Sequence, residues 1–342
     1  MLEKLCNLNG VSGTTDAVKD FIINEIKPYV TEITVMPCGN IIAFKKGKYT
    51  PPKKVMADAH IDEVGLIVKD ITDDGYLKFD EVGGFDERIL LSKRVTVGEN
   101  CIPGIIGIKA VHLATKEERE KVVPISEMYI DIGAFSKEEA EKYVKKGDTI
   151  AFVSEYKKIG QNSVKAKALD DRVGVAALIS ALKKDAEYDY YAAFTVSEEI
   201  GTVGAQSAAE FVKPDIAIIL EGTTCSDVPG TREHEQSTNQ GKGPALSVVD
   251  RASYSDKKLN VFIKKIANEN NIDFQLKRTV MGGNNARSIQ LSGGGVKTAV
   301  LSVPLRYIHS PVSVMNISDY ENYEKLVKCF LDNIGRAGEI YD

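Results

Sequence analysis

Residues 55–68 read VMADAHIDEVGLIV. An apolar run passes into Ala-His-Ile-Asp-Glu and turns apolar again. A short continuous apolar run bounded by turn residues suits a strand buried on both faces. Charged groups are rarely buried without compensation. His60 and the two acids after it therefore need a partner, and a metal ion is one candidate.

Working outward, the second half of the chain alternates helix and buried strand. DDRVGVAALISALKK (170–184) has helical pattern and DYYAAFTV (189–196) strand pattern. GAQSAAEFV (204–212) and DIAIIL (215–220) repeat the pair, as do SDKKLNVFIKKIANEN (255–270) and TAVLSVP (298–304). The closing helix is expected to start at Ser318 with Glu321 as capping partner, and carries Tyr320, Tyr323, Val327, Phe330 and Ile334 on one face. Near the start, 14–27 places Val18, Phe21, Ile22 and Ile26 at helical spacing before Pro28. Residues 64–158 differ: short β-like runs (VGLIVKDI, YLKFDEV, RVTVG, IPGIIGIKA) are separated by DDG, GG and GEN turns. One helix is expected there, from Ser136 to Lys146, with Glu139 completing a capping box and Gly147 ending it. This reads as a three-layer α/β domain with a mixed sheet, residues 1–63 plus 159–342, interrupted by a smaller β domain, 64–158.

Composition bounds the function. The chain has 342 residues, 43% hydrophobic and 27% charged, with a net charge of -5. That is enough chain for a sizeable core and about two domains. The charge points to neither nucleic acid nor an anionic membrane. No apolar stretch approaches the roughly 20 residues that span a bilayer. The N-terminus lacks a basic region followed by an apolar core, and the five cysteines are scattered with no C-x-x-C pair. Both features predict a cytoplasmic protein with reduced thiols.

In open α/β sheets, ligands bind beyond the carboxyl ends of the strands. His60 and Asp62 follow the first buried run. Glu198 and Glu199 follow YAAFTVS, Glu221 follows IAIIL, and His309 follows the last run. Asp170 and Asp171 open the helix of the second half. Taken singly, each has an ordinary explanation: a strand-end histidine, a solvated acid pair, an N-cap. Together they assemble imidazole and carboxylate at one end of one sheet, which suits zinc, cobalt or manganese. Five ligands with one bridging carboxylate hold two ions about 3.5–4 Å apart. Asp62 is spaced to orient His60. HEQST (234–238) lacks the second histidine of a zincin site, so His234 reads as a loop residue near the site and His112 as structural or exposed. The glycines of MGGNNARS (281–288) permit close backbone approach, and its polar residues are candidates to line a pocket.

The motifs AHIDEVGLIV, ALDDRVG, TVSEEIGTVGA, DVPGTREHE, GKGPALSVVDRA, MGGNNA and PLRYIHSP, in this order along nearly the whole chain, resemble the tetrahedral metallo-aminopeptidase family. That family contains glutamyl, leucyl and lysyl aminopeptidases, some under the older label cellulase M or endoglucanase. The resemblance implies a dinuclear aminopeptidase domain interrupted by a PDZ-like dimerisation domain. It implies His60 and Glu221 on one metal, Glu199 and His309 on the other, and Asp170 bridging. Glu198 becomes the general base, Asp62 the support of His60, and the Asp170–Asp171 peptide is expected to be cis. It further implies short peptides as substrates and a dodecamer assembled from dimers. Three positions depart from the family pattern. Glu221 stands where many members have Asp, Asn285 replaces the Asp of Gly-Gly-Thr-Asp-Ala, and Ser313 stands where Glu is common.

The expectation is an aminopeptidase acting on short peptides with two divalent ions (zinc, cobalt or manganese). Competing readings are a related deacylase or carboxypeptidase, an endoglucanase using two carboxylates, and a non-catalytic assembly protein. Asn284, Asn285 and Arg287 are expected to border the substrate pocket, with Arg287 favouring acidic or neutral N-terminal residues over basic ones.

Overall fold

The computed structural model describes residues 1–338. Two helices, α1 (Leu2–Asn7) and α2 (Asp16–Ile26), precede strands β1 (Glu32–Val35), β2 (Ile41–Lys45) and β3 (Val55–His60). Next come β4 (Gly65–Ile71), β5 (Leu77–Val82), β6 (Arg94–Val97), β7 (Ile102–Gly107), α3 (Lys116–Arg119), β8 (Tyr129–Asp131), α4 (Lys137–Ala140) and β9 (Thr149–Phe152). The chain continues through β10 (Lys157–Ile159), β11 (Ser163–Ala166), α5 (Leu169–Leu182), β12 (Tyr190–Thr195), α6 (Val203–Val212) and β13 (Ile216–Thr224). It closes with β14 (Ala245–Leu246), α7 (Lys257–Glu269), β15 (Gln275–Leu276), α8 (Ala286–Ile289), β16 (Lys297–Arg306), β17 (Ser313–Asn316) and α9 (Ile317–Asn333).

The architecture is a mixed α/β fold with two bodies. The large sheet runs β1-β2-β12-β3-β13-β16-β17-β11-β10, with β14 pairing β16 and β15 pairing β14. Its centre, β12-β3-β13-β16, is parallel; the flanks are antiparallel. All six residues of β3 are buried, because helices cover both faces. On one face α1, α2, α5, α7 and α9 share the main core; on the other, α6 and α8 close a smaller one around Met56, Ala193 and Ile219. Helix α5 lies deepest, with residues Val173 to Ile179 all buried. A helix apolar all round belongs inside.

Strands β4-β5-β8-β7-β6-β9 close into a six-stranded barrel with its own core around Leu66, Leu77, Ile130 and Ile150. β10 already belongs to the large sheet, where it pairs with β11.

Two helix expectations change. The helix expected from Ser136 spans only α4. Ser136 Oγ caps it by accepting from the Glu139 amide, but Glu139 Oε2 reaches the Phe135 amide and i→i−3 turns replace the helix after Ala140. The closing helix starts earlier than expected because Asn316 is its cap, accepting from the Ser318 and Asp319 amides. The five cysteines are unpaired. Among the described residues no helix is long and apolar enough to cross a membrane.

Candidate metal centre

The parallel register sets the residues in a row. Thr195 stands beside His60 across β12 and β3, and Glu221 stands beside Ser302 across β13 and β16. The chain leaving each strand turns sharply: Ala168, Ser197 and His309 adopt left-handed backbone conformations with φ of 53°, 61° and 53°. Such conformations are uncommon outside glycine and concentrate at functional sites. The Asp170–Asp171 peptide is cis.

These turns bring seven of the sequence-predicted residues together around Asp170. On one side His60 Nε2 lies 3.6 Å from Asp170 Oδ1 and 3.7 Å from Glu221 Oε2. On the other, His309 Nε2 lies 3.5 Å from both Asp170 Oδ2 and Glu199 Oε2. These separations are too long for hydrogen bonds. They are close to the ~3.4 Å that separates ligand atoms around a tetrahedral ion with bonds of about 2.1 Å. Two buried oxygens in the group, Glu221 Oε1 and Asp171 Oδ2, have no hydrogen-bond partner. Asp171, fully buried, comes within ligand reach of His60 and Glu221. A buried carboxylate oxygen without a donor is costly unless something positive meets it. The donor set therefore fits two divalent cations.

Backbone and neighbours hold the ligands. His60 Nδ1 is 3.1 Å from the Asp62 carbonyl and 3.5 Å from its carboxylate. Asp62 in turn accepts from the Glu198 and Glu199 amides at 3.2 and 3.3 Å, and from Ser12 Oγ at 2.5 Å. Asp62 thus orients the histidine through its carbonyl and the Glu198-Glu199 turn through its carboxylate. Gly222 donates its amide to Asp170 Oδ1, and a Cβ there would lie 2.9 Å from that oxygen, so glycine permits the approach. His309 Nδ1 meets the Gly84 carbonyl of the barrel at 2.8 Å. A cleft lined by Val64, Phe152, Asp170, Glu199 and His309 opens at this seam between the two bodies.

The acids repel one another. Burial raises Glu198 to about 7 and Glu199 to about 8, although nearby histidines oppose the shift; Asp170 adds to it. Burial likewise raises Glu221 and Asp171 well above the usual carboxylate range. His309 goes to about 10: burial acts against its charge, but the Asp170 contact and the Glu199 charge prevail.

The pocket-loop residues lie elsewhere. Asn285 is fully buried; its Nδ2 donates to Asp58 Oδ2 at 2.8 Å and to Thr195 Oγ1 at 2.9 Å. Asn284 Nδ2 donates to Asp250 at 2.9 Å. Both amides fix the loop from inside, because each satisfies a buried carboxylate. An Asp at 285 would set a second carboxylate against Asp58, and one of the pair would have to keep a proton. Asn285 removes that demand. Arg287 is exposed on α8. Ser313 lines the cleft, and His112 and His234 are exposed.

Sequence reading missed a second buried charge group behind the centre. Lys167 Nζ bonds Glu63 Oε1 at 2.5 Å and the Leu8 carbonyl at 2.9 Å, while buried Arg172 donates to the Leu5 carbonyl at 2.8 Å and lies 3.7 Å from Glu63. Glu63 is the last residue of the opening AHIDE motif, so its partners are cations from the segment around Asp170.

The chain is similar to known proteins along nearly its whole length. The M42 glutamyl aminopeptidase family matches residues 39–326. An aminopeptidase of the archaeon Desulfurococcus kamchatkensis superposes with a TM-score of 0.92 at 37% identity, over 97% of this chain and 93% of the other. The Pyrococcus horikoshii TET1 peptidase, which can assemble into a tetrahedron or a large octahedral shell, gives 0.86 at 34% identity over 96% and 98%. The lysyl aminopeptidase of Pyrococcus furiosus is 30% identical over 98% of this chain and 96% of its own length.

Proposed function

The chain belongs to the M42 glutamyl aminopeptidase family, and we propose that it is a dinuclear metal-dependent aminopeptidase that removes N-terminal residues from short peptides. The observation that carries this reading is the division of Asp170, whose Oδ1 lies 3.6 Å from His60 Nε2 while Oδ2 lies 3.5 Å from His309 Nε2, with Glu221 beside His60 and Glu199 beside His309. His60 and Glu221, with Asp171 beside them, would hold one ion; Glu199 and His309 would hold the other; Asp170 would bridge. Bound there, zinc, cobalt or manganese would supply Lewis acidity, polarising the scissile carbonyl and lowering the pKa of the attacking water.

The remaining steps belong to the chain. Among the described residues Glu198 makes no side-chain hydrogen bond, and the Asp62 contact to its amide aims it. It takes a proton from the attacking water and delivers it to the leaving amine. Asp62 keeps His60 in one ring orientation. The walls of Val64 and Phe152 limit water in the cleft. The barrel, residues 64–158 with its flanks, serves as the assembly module of a homo-oligomer built from dimers. A single-subunit mass at working concentration in light scattering would reject that part.

The test of the activity uses free-amine and N-acetylated aminoacyl substrates with several divalent metals. Hydrolysis should require the free amine, vanish on prolonged chelation and return with metal. Full turnover in a rigorously metal-free sample sinks the metal mechanism. Equal cleavage of the acetylated substrate points to a deacylase.

A further inference from the structure

We propose that Lys167 is a positioning residue for Asp170: through Glu63 it clamps the N-terminal segment under the Asp170 turn and so sets the carboxylate that would bridge the two ions. This rests on the dinuclear reading above. The turn needs support from outside. The β11–β17 ladder ends at Ala166, paired with Ser313. Regular helical backbone in α5 starts only after Asp171, because Asp170 (φ −85°, ψ 111°) and Asp171 (φ −115°, ψ 43°) are not helical. Ala168 between them and the ladder has a left-handed backbone, with φ of 53°, and no side-chain oxygen to cap the helix. Within 167–171, two side chains hydrogen-bond to other elements among the described residues: Asp170, which accepts from the Gly222 amide, and Lys167.

Lys167 meets a platform made of two chain segments. Its Nζ donates to Glu63 Oε1 at 2.5 Å and to the Leu8 carbonyl at 2.9 Å, and the side chains of Lys167 and Glu63 are 5% and 4% exposed. The same Glu63 oxygen accepts from the Gly10 amide at 2.9 Å, while the Glu63 amide donates to the Gly10 carbonyl at 2.9 Å. The Ser12 amide donates to the Glu63 carbonyl at 3.3 Å, and the Ser12 hydroxyl donates to Asp62. Residues 8–12 therefore lie along Asp62-Glu63, the exit of the strand that carries His60, and Lys167 fastens the Asp170 turn to both. A Cβ on Gly10 would stand 2.5 Å from Arg172 Nη2, so glycine lets the segment lie this close. Lys167 and Glu63 line the same cleft as Asp170, Glu199 and His309, which puts the clamp in the wall of the candidate centre.

Charge balance does not require Lys167. Two buried cations, Lys167 and Arg172, face one carboxylate: Arg172 Nη2 is 3.7 Å from Glu63 Oε1, and Arg172 Nε and Nη2 have no hydrogen-bond partner. With Lys167 removed, Arg172 remains as the counter-ion of Glu63. With Glu63 removed, two buried cations lose their carboxylate, which is strongly destabilising. The two members of the pair thus differ in what they hold: Glu63 holds the fold, and Lys167 holds the turn.

The experiment compares Lys167→Met and Glu63→Gln with wild type. Melting temperature is measured on metal-stripped protein, and cobalt is then titrated with calorimetry and visible absorption as readouts. Methionine keeps an unbranched stem and loses the ammonium. Lys167→Met should melt within a few degrees of wild type and bind both cobalt ions about 10- to 100-fold more weakly, the range for partners that orient a ligand. Its doubly loaded cobalt spectrum should shift, because the bridging carboxylate is displaced. Glu63→Gln should melt much earlier. A Lys167→Met protein that fails to fold, or melts as early as Glu63→Gln, makes the pair purely structural and overturns the proposal. So does a cobalt affinity or a cobalt spectrum left unchanged, or a loss confined to one ion, since Asp170 stands between both histidines. Wild type that binds two cobalt ions and hydrolyses no free-amine aminoacyl substrate overturns the aminopeptidase activity and leaves the clamp standing. Wild type that binds fewer than two overturns the dinuclear reading and the clamp with it.

Discussion

The two halves of the candidate centre are built differently. The His60 half is strand-borne and closed: the side chains of His60 and Glu221 are 1% and 6% exposed, and Asp171 stands behind them. The His309 half is loop-borne and open: His309 is 39% exposed, lies three residues beyond β16 and takes its orientation from Gly84 of the barrel. Asp170 belongs to both, and Glu199 also comes within ligand reach of either histidine. A ligand on a buried strand is held by the whole sheet, whereas one on a loop against another body moves with the seam. If two ions bind as proposed, the inner one should be tight and the outer one exchangeable, and each prediction below tests that division.

The largest effect is expected where the halves share a function. Glu198→Gln should retain both ions and lose about 10²–10⁴-fold in kcat, the usual worth of a positioned base. Metal content by elemental analysis and steady-state kinetics check it together. Near-normal turnover would remove Glu198 from the chemistry; loss of an ion would make it a ligand.

Next in size is the contrast between the histidines. His309→Ala should bind one ion at metal concentrations that load wild type with two, with modest change in melting temperature. His60→Ala should lose both ions and destabilise the fold, because it leaves Glu221, Asp170 and Asp171 facing each other in a buried site. Calorimetric metal titration of both variants decides. Equal loss in the two variants would mean that the halves are equivalent.

Much of this centre is legible in sequence, since strand ends in a parallel sheet converge and the acids and histidines there stand out against apolar runs. What escaped is what the third dimension supplies. Gly84 lies 225 residues from His309, and no pattern in EVGGFDE marks a carbonyl as a histidine partner. Ser12 precedes any recognisable strand. Asn285 reads as a pocket residue because loops of paired glycines and amides often line pockets, and no pattern there marks its bond to Asp58, 227 residues away. The barrel was legible as β-rich but not as closed, since closure depends on β4 pairing with β9, about 80 residues away.

A smaller effect concerns pH in protein stripped of metal. Glu198 and Glu199 are raised from 4.5 to about 7 and 8 by burial, and His309 from 6.5 to about 10 by Asp170 and Glu199 despite its burial. Each folded-state group therefore keeps a proton that the unfolded chain has released, the carboxyls above about pH 4.5 and the histidine above about pH 6.5. Linkage makes stability fall as pH rises across these windows. The melting temperature of stripped protein should drop from pH 6 to pH 9. Added metal, which binds the deprotonated ligands, should raise it more at pH 9 than at pH 6. A stripped protein that stabilises with rising pH would contradict the placement of these acids around one another.

The smallest effect tests how the inner half is held. Ser12 Oγ donates to Asp62 Oδ2 at 2.5 Å, and the same carboxylate meets His60 and the Glu198 and Glu199 amides. Ser12→Ala removes one donor of several from a buried acceptor and leaves every proposed ligand in place. Outer partners of this kind are worth about 10-fold in metal affinity at the low end of their range. Asp62 meets the His60 ring itself, by carbonyl at 3.1 Å and carboxylate at 3.5 Å, but Glu199 only through its amide, so the inner ion should weaken by about that factor and the outer ion less. Site-resolved metal titration of Ser12→Ala reads both. A larger loss at the outer ion would show that Asp62 acts chiefly through the Glu198-Glu199 turn, and would move the tighter control of the centre from the strand to the loop.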